Sequence, residues 1–482
     1  MQMTPITVFN TKNRTKEAFV PLSEGKVTIY HCGPTVYHFQ HIGNMRRFIF
    51  ADLVHRLFSL NNYEIKQVIN ITDVGHLVSD EDEGEDKMEK GAKREGKTAQ
   101  EIAELYTNDF MEDLSLLKIY TGDTLFPKAT DNIPEQIALI QALEEKGFAY
   151  RTNDGIYFDT SRDECYADFA HLDLKGMEDG AGARVERNDE KRNNADFALW
   201  KFSPSKESGE KRQQEWESPW GVGFPGWHIE CSAMAKKFLG ITIDVHTGGI
   251  DHIPVHHTNE IAQSENANYA PFARYWMHND HVNFGNEKMA KSGESFIRLK
   301  DLVSKGYSPL AYRYFTMLAH YRTKINFTFE GLDSAVVAWK KLNEFIAKTE
   351  KSGRVPEDVL EDAHQVALVQ VALEALNDDL DTPKIVALMW EIIKDTTMPD
   401  MVKKVAILKI DEMIGVIDPS YKTKETITIN SLPENIKVLA EERQKARANK
   451  DWQKSDELRD KIKEAGYDIT DDKESSTFSL AS

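Results

Sequence analysis

The pattern of residues 26–72 constrains the fold of this chain more than any other feature of its sequence. The segment KVTIYH, Lys26–His31, alternates apolar and polar residues as a β-strand does, and apolar residues then recur at helical spacing from Gly43 to Leu60. The short β-branched run IKQVINIT, residues 65–72, predicts a second strand. A strand, a helix and a strand in this order predict a βαβ unit with a parallel sheet.

An insertion, a second half of the sheet and a helical region are predicted farther along the chain. Residues 148–160 carry Asn-Asp-Gly between two β-rich stretches, which is typical of a hairpin and interrupts the βαβ order. The helix–strand order resumes in WHIECSAMAKKFL and ITIDVHTGG, at residues 227–239 and 241–249. Beyond Gly331, amphipathic periodicity predicts four helices, at residues 334–351, 363–376, 382–394 and 401–416.

The predicted fold class is therefore α/β. It consists of a split Rossmann-like parallel sheet with a connective insertion, followed by an α-helical bundle and a small C-terminal module. The two halves of the sheet are assigned to residues 1–124 and 200–280, and the insertion to 125–199. A connecting region, the bundle and the terminal module follow at 281–330, 331–420 and 421–482. The acidic run at 80–86 is interpreted as a solvated loop before one long polar helix that ends at Leu117.

Composition excludes several classes of protein. Of 482 residues, 40% are apolar and 29% are charged, which is typical of a globular chain. The formal net charge of −19 provides no overall positive field to attract nucleic acid. Three cysteines are too few for a disulfide framework, so we expect a cytoplasmic location. We also expect no membrane contact, because no run of about 18 apolar residues occurs.

Four residues that lie far apart in the sequence are candidate metal ligands. His256 and Glu260 follow Pro254 at the i and i+4 spacing that places both on one helix face. Cys32 follows the first strand, and Cys231 lies on the helix before the strand that leads to His256, so both could meet at the carboxyl end of the sheet. Two thiols, an imidazole and a carboxylate suit zinc. Buried structural cysteines and an exposed His–Glu pair are the alternative interpretation.

Two short motifs are candidates for contacts with nucleotide phosphates. HIGN, residues 41–44, stands where a loop turns into a helix, and a helix N-terminus with a nearby imidazole can hold phosphate. KMAKS, residues 288–292, brings two ammonium groups to one loop, where they could neutralise a triphosphate as it loses pyrophosphate. An ordinary solvated lysine loop would have the same spacing.

Taken in order, these motifs resemble the signatures of the class I aminoacyl-tRNA synthetases and, within that class, the cysteinyl-tRNA synthetase family. HIGN corresponds to the HIGH signature and KMAKS to KMSKS, with Asn44 and Ala290 as departures. Around them stand CGPTVY, NITD, DFALWK, ESPWG, PGWHIECSAM and NEIAQSE, at residues 32–37, 70–73, 196–201, 217–221, 225–234 and 259–265. The resemblance extends from about residue 6 to residue 470.

The resemblance implies a cysteine–tRNA ligase that activates L-cysteine with ATP as cysteinyl-adenylate and transfers it to tRNA(Cys). Mg²⁺ would accompany ATP, and one Zn²⁺ per chain would bind the substrate thiolate. The implied zinc ligands are Cys32, Cys231, His256 and Glu260. The implied ATP contacts are His41, Gly43, Asn44, Lys288 and Lys291, of which His41, Lys288 and Lys291 would act in catalysis. The implied cysteine-pocket residues are Thr72, Trp227 and Asp251.

The resemblance also gives each predicted region a role. Residues 1–124 and 200–280 would be the two halves of the class I catalytic domain, 281–330 the KMSKS loop with a stem-contact region, and 421–482 an anticodon-recognition module. Residues 437–463 hold nine basic and six acidic side chains, so we expect a local basic surface there that includes Arg443, Lys445 and Arg447. A monomer is the expected state.

Two other functions remain as alternatives. A cysteine ligase acting on an amino-sugar acceptor would resemble this family in its ATP and zinc sites, but it should lack the terminal tRNA-binding helices. A catalytically silent, synthetase-like RNA-binding regulator is the second alternative. The residues beyond Gly331 favour a tRNA acceptor, while the four ligand positions together with Lys288 and Lys291 favour catalysis.

Overall fold

A computed structural model describes residues 5–75, 87–171, 190–203, 212–285, 287–288, 296–350, 363–423, 427–471 and 476–480. The acidic run at 80–86 lies outside these residues. The chain divides into two compact units, one of Met1–Lys340 with Val355–Ile417 and one of Lys341–Arg354 with Asp418–Ser482. Within the described residues, no helix has both the length and the apolar character needed to cross a membrane.

A four-stranded parallel sheet lies at the centre of the larger unit. Its strands, in spatial order, are Ala273–Asn279, Ile243–Gly249, Lys26–His31 and Glu64–Ile69. The helix Ile42–Leu60 connects the last two strands, so the predicted βαβ unit is confirmed. Helix Ile229–Leu239 precedes strand Ile243–Gly249, as the sequence predicts, and Thr258–Asn268 follows it. The sheet and its helices bury a shared apolar core.

The insertion between the two halves of the sheet is antiparallel. Its four strands are Ala149–Arg151, Gly155–Phe158, Phe197–Phe202 and Gly223–Pro225, paired in that order. The first two form the hairpin predicted at residues 148–160. Helix Ile133–Glu145 packs on this sheet through an apolar cluster that includes Leu139, Ile140 and Leu143.

The polar segment before residue 117 forms two helices, so the prediction of one long helix is wrong. Lys87–Glu95 and Ala99–Leu116 are separated by Gly96, whose φ is +64°, and by Thr98, which caps the second helix. Glycine adopts this left-handed backbone conformation without the steric strain that a side chain adds.

Small sheets and helices complete the larger unit, and helix Phe329–Glu350 is divided between the units, with its residues from Lys341 onward in the smaller one. Strands Thr7–Asn10 and Thr15–Ala18 pair antiparallel near the N-terminus. A further, three-stranded sheet contains Glu287–Lys288, Val282–Phe284 and Ile325–Phe327, in that spatial order. The helices Leu299–Ser304 and Pro309–Met317 connect its strands, and Phe329–Glu350, Ala363–Asn377, Thr382–Lys394 and Asp400–Ile414 follow. These last four match the four helices predicted from periodicity.

The smaller unit contains helices Glu434–Ala448 and Trp452–Glu464 and the hairpin of Tyr467–Asp471 and Ser476–Leu480. Ile436, Ala440, Ile462 and Phe478 are among the residues of its core. The prediction that Arg443 contributes to an exposed basic surface is wrong, because Arg443 is only 2% exposed. The mixed α/β fold class is confirmed, and the individual domain limits remain a prediction.

Candidate active site and metal centre

A cleft lies at the carboxyl ends of the parallel strands, where such sheets commonly bind ligands. Its volume is about 1200 Å³, open solvent included. Eight of the predicted site residues line it: Cys32, His41, Asn44, Thr72, Trp227, Cys231, Asp251 and His256. Gly33 also lines the cleft, and here the chain approaches a neighbouring strand closely, since a Cβ on Gly33 would lie 1.5 Å from the carbonyl oxygen of Asn70.

The four candidate metal ligands converge at one wall of this cleft. The ligand atoms of Cys32, Cys231, His256 and Glu260 all lie within 4.8 Å of one another, and all four residues are buried. His256 Nε2 is 3.0 Å from Glu260 Oε1, and Cys32 Sγ is 4.0 Å from the same oxygen. A π-helical turn, Ile253–His257, leads into the helix that carries Glu260. The donor set of two thiols, an imidazole and a carboxylate fits a zinc ion.

A second donor set overlaps the first. Cys32, His246, His257 and Glu260 also place their ligand atoms within 4.8 Å of one another. Cys32 Sγ lies 3.2 Å from His257 Nε2, and His246 Nε2 lies 2.8 Å from Glu260 Oε2. His246 and His257 do not line the cleft, whereas Cys231 and His256 do. The set with two cysteines therefore has three members that line the cleft, whereas the second set has Cys32 alone there.

The ionisation of the cluster follows from burial and from the Glu260 carboxylate. Burial raises the pKa of the Cys32 thiol, while a hydrogen bond with Cys32, together with burial, raises the pKa of Cys231 well above its ordinary value. Burial alone would lower the pKa of His256, but Glu260 raises it to about 10. Burial opposes ionisation of Glu260 as well, yet His246 and His256 hold its pKa well below the usual range. Binding a cation here would release protons from the thiols and from His256, so affinity would rise with pH.

Several histidines of the site were not among the predicted site residues, although His228 lies within the motif PGWHIECSAM. His228 Nδ1 lies 2.9 Å from His256 Nδ1, and His257 Nδ1 lies 2.7 Å from His278 Nε2. The ring of His246 stacks on Trp276, with centroids 4.5 Å apart. The sequence signal that could have pointed to most of them is the local concentration of histidine, since six of the fifteen histidines of the chain lie at residues 246–281. Burial lowers the pKa of His278 to about 3, so this histidine stays neutral.

Arg47 is a further cleft residue that sequence reasoning missed. It lies on the helix that begins after His41, and its guanidinium donates a 3.2 Å hydrogen bond to the carbonyl oxygen of Gly33. A second nitrogen of the guanidinium lies 3.2 Å from His252 Nε2. Arg47 therefore adds a positive charge beside the two cysteines that line the cleft.

The part of the cleft beside the ligand cluster contains the three residues that the resemblance implies as a cysteine pocket. The ring of Trp227 lies 4.7 Å from that of His256, measured between centroids. Asn70 Nδ2 donates a 3.0 Å hydrogen bond to Thr72 Oγ1, and Asp251 lines the cleft from the 3₁₀-helical turn Ile250–His252, which follows strand Ile243–Gly249. An indole, a hydroxyl and a carboxylate thus stand near the ligand cluster.

The other end of the cleft is formed by the start of helix Ile42–Leu60. The His41 side chain accepts a hydrogen bond from the Asn44 backbone at 3.1 Å, and the His41 backbone donates one to Asn44 Oδ1 at 3.3 Å. This reciprocal cap gives Asn44 a structural reason to replace histidine. Gly43 lies in the first turn of the same helix. Lys288 lies on strand Glu287–Lys288, while Lys291 falls outside the described residues.

Comparison with known proteins agrees with this geometry. Residues 18–337 match the sequence model of the tRNA synthetases class I (C) catalytic domain, and residues 430–478 match that of the cysteinyl-tRNA ligase anticodon binding domain. Cysteine–tRNA ligase 1 of Burkholderia lata is 43% identical to this chain, and the aligned region covers 97% of this chain and 95% of that protein. Cysteine–tRNA ligase of Treponema denticola is 40% identical, covering 97% and 98%. The solved structure of a methionyl-tRNA synthetase from Mycobacterium tuberculosis, with bound methionyl-adenylate, has a TM-score of 0.57 at 14% identity, covering 81% of this chain and 92% of that one.

The split parallel sheet with its antiparallel insertion, the cleft at the carboxyl edge of the sheet and the match of residues 18–337 place the chain among the class I aminoacyl-tRNA synthetases. Within that class, the full-length similarity and both matched domains show that the chain belongs to the cysteinyl-tRNA synthetase family. The family resemblance stated from the motifs is thereby confirmed.

Proposed function

We propose that the chain is a ligase that joins L-cysteine to tRNA(Cys) in an ATP-dependent reaction. The observation that carries this proposal is the convergence of Cys32, Cys231, His256 and Glu260 at the wall of an open cleft. Full-length similarity to proteins named cysteine–tRNA ligase supports the same activity.

The proposed cofactor of the cleft is one Zn²⁺, for which these four residues would be the ligands. With these four residues as ligands, a zinc ion would favour the substrate thiolate over a serine hydroxyl, because zinc binds thiolates much more strongly. All four residues are buried, and Cys32, Cys231 and His256 also line the cleft through which the substrate would reach the metal. Arg47 keeps positive charge near the thiolates that metal binding requires.

The cysteine pocket is proposed to consist of Thr72, Trp227 and Asp251. The carboxylate of Asp251 suits the ammonium group of a free amino acid, and the Trp227 ring supplies an apolar wall beside His256. Thr72 accepts a hydrogen bond from Asn70, which leaves the Thr72 hydroxyl proton available to a substrate.

The ATP end of the site is proposed to consist of His41, Gly43, Asn44, Lys288 and Lys291, with Mg²⁺ accompanying ATP. The start of helix Ile42–Leu60 would direct the positive end of the helix dipole toward phosphate oxygens. In the proposed reaction, the cysteine carboxylate attacks the α-phosphate and pyrophosphate leaves. The cysteinyl group then passes to a terminal ribose hydroxyl of the tRNA, releasing AMP. The two lysines would balance the charge that develops on the departing pyrophosphate.

A tRNA acceptor is favoured over the two alternatives. An amino-sugar ligase would not need the region that matches an anticodon binding domain, at residues 430–478. A silent RNA-binding regulator would not need buried thiols at the wall of an open cleft. We further propose the domain limits given in the sequence analysis as the functional divisions of the chain, except that the antiparallel sheet of the insertion continues past residue 199 to strand Gly223–Pro225.

Charging of total tRNA with labelled cysteine tests the proposal, with labelled serine in parallel. We expect attached cysteine, serine at background, and about one zinc per undenatured chain. The Cys231→Ser variant should lose at least about 100-fold in cysteine-dependent pyrophosphate exchange. Cys165→Ser is the matched control because Cys165 is exposed and outside the cleft. Failure of the wild-type protein to charge either amino acid, or full activity of Cys231→Ser, would contradict the proposal.

A further inference from the structure

Arg46 is a buried cation without a role in the proposed chemistry. It lies five residues after His41 on helix Ile42–Leu60, and it is only 3% exposed. Arg46 does not line the cleft, so it does not contact a ligand there. Burial lowers its pKa to about 10, which leaves the guanidinium charged at neutral pH. A buried charge is retained only where it is well hydrogen-bonded, so its partners should explain it.

The partners of Arg46 are backbone carbonyls from two separate segments. One terminal nitrogen donates to Asp280 at 2.8 Å and to His281 at 3.0 Å. The other donates to His320 at 3.1 Å, to Tyr321 at 3.4 Å and to Thr323 at 2.7 Å. A charged donor strengthens each of these hydrogen bonds. One side chain therefore joins both segments to the helix.

Both segments lead directly into strands of the sheet that carries Lys288. Asp280 and His281 precede strand Val282–Phe284, and Thr323 lies just before strand Ile325–Phe327. The two strands pair in parallel, and Glu287–Lys288 pairs antiparallel with the first, with Lys288 opposite Asn283. Arg46 thus holds the starts of the two strands that support Lys288.

The chain after residue 295 is fastened to the same helix start. Ile42 donates its backbone N–H to the carbonyl oxygen of Ile297 at 2.8 Å, and the Tyr312 hydroxyl donates to the carbonyl oxygen of Ile42 at 2.7 Å. The ring of Phe296 lies 5.9 Å from that of His41. The beginning of the helix is therefore tied to the chain on both sides of residues 289–295.

We propose that Arg46 is a positioning residue that fixes the strand of Lys288 relative to the helix that begins at His41. The inference rests on the proposed function, in which His41 and Lys288 act on the same ATP. If these two groups must meet one triphosphate, the distance between their backbones has to be set by a rigid connection. Arg46 provides that connection through five carbonyls on two segments. Lysine has the charge but concentrates its three donors on one nitrogen, so it cannot reach both segments in the same way.

The test compares Arg46→Lys with Arg56→Met, a matched control on the same helix. Within the described residues, the hydrogen bonds of Arg56 go to Asp52 and to the carbonyls of Glu412 at 2.7 Å and Lys118 at 3.3 Å, and none goes to the Lys288 sheet. Cysteine-dependent exchange of pyrophosphate into ATP gives kcat and the KM values for ATP and cysteine, and thermal unfolding gives stability.

We expect Arg46→Lys to lower kcat/KM for ATP roughly 10- to 100-fold while the KM for cysteine changes less than about threefold. Arg56→Met should lower the unfolding temperature and leave both ATP parameters within about threefold of wild type. In the Lys288→Ala background, Arg46→Lys should lower kcat/KM for ATP by a smaller factor than in wild type. The reason is that both changes act through the proposed contact between Lys288 and ATP.

Equal effects of Arg46→Lys and Arg56→Met on the ATP parameters would overturn the inference, and so would simple additivity of Arg46→Lys and Lys288→Ala. Failure of Arg46→Lys to fold would show a general structural role instead of a positioning role. These outcomes differ from a failure of the proposed function, in which the wild-type protein itself would show no cysteine-dependent exchange.

Discussion

Arg443 shows how a single partner decides what a charged residue does. Each of its two terminal nitrogens donates a 2.8 Å hydrogen bond to a different carboxylate oxygen of Asp471. Such bidentate pairs are stronger than single contacts. Arg447 forms an ion pair with the same carboxylate, whereas Lys445 between them is exposed. Of these three basic residues, Lys445 is therefore the one whose charge is available to a nucleic acid.

Replacing Arg443 should destabilise the smaller unit. Arg443→Met leaves Asp471 without its main donor, and we expect a loss of about 2 kcal/mol in the free energy of unfolding at pH 7, measured by urea denaturation. The hydrogen bond from Arg443 holds the pKa of Asp471 well below its usual range. This contribution is present above the pKa of an unfolded aspartate and is lost as pH falls through the lower folded value, so wild type and variant should converge in acid. Lys445→Met should match wild type, and an unchanged midpoint for Arg443→Met would contradict the expectation.

The ligands of the candidate metal centre could be proposed from motifs, but their surroundings could not. Cys32 and Cys231 follow or precede predictable strands, so their convergence was accessible to topology. His246 and His257 complete a second donor set only because strand and helix pack in one particular register. Arg46 likewise depends on carbonyls more than 230 residues away, which no local pattern records.

Elements with a clear period were predictable, and the exceptions have local causes. Strand Lys26–His31 and the four helices beyond residue 329 follow from the spacing of apolar residues. The division between Lys87–Glu95 and Ala99–Leu116 was missed because polar helical character continues across it. The signal that could have found it is the pair Thr98 and Glu101, which has the spacing of a capping box.

Removing this cap should weaken the second of the two helices. Thr98 Oγ1 accepts a 3.2 Å hydrogen bond from the Glu101 backbone, and the Thr98 backbone donates one to Glu101 Oε2 at 2.8 Å. Thr98→Ala should lower the free energy of unfolding by about 1 kcal/mol, measured by thermal or urea denaturation. Ser115→Ala, at an exposed position on the same helix, is the control and should change it by less than about 0.5 kcal/mol. If both variants unfolded alike, the break between the helices would not depend on the cap.

The charge of the whole molecule limits how it can bind tRNA. A net charge of −19 repels a polyanion, so binding has to depend on local basic surfaces. On the smaller unit, several basic side chains are exposed: Lys445, Lys450, Lys454, Arg459, Lys461 and Lys463. Trp452, which is 60% exposed, lies among them in sequence and offers a face for stacking on a base. Electrostatic contacts of this kind are exchanged for salt ions and weaken as salt increases.

Salt should therefore separate tRNA recognition from amino-acid activation. Two phosphate contacts would raise the KM for tRNA about tenfold over a fourfold increase in sodium chloride, because bound counterions are released on binding. Cysteine-dependent pyrophosphate exchange takes place in the cleft without tRNA and should change less than about twofold.

Lys445→Glu should raise the KM for tRNA at low salt and reduce the dependence of this KM on salt, leaving pyrophosphate exchange unaltered. Steady-state charging at several salt concentrations measures these effects. An unchanged salt dependence in Lys445→Glu would show that the smaller unit binds tRNA through other groups, and an equal salt effect on exchange would show that the response is not specific to tRNA.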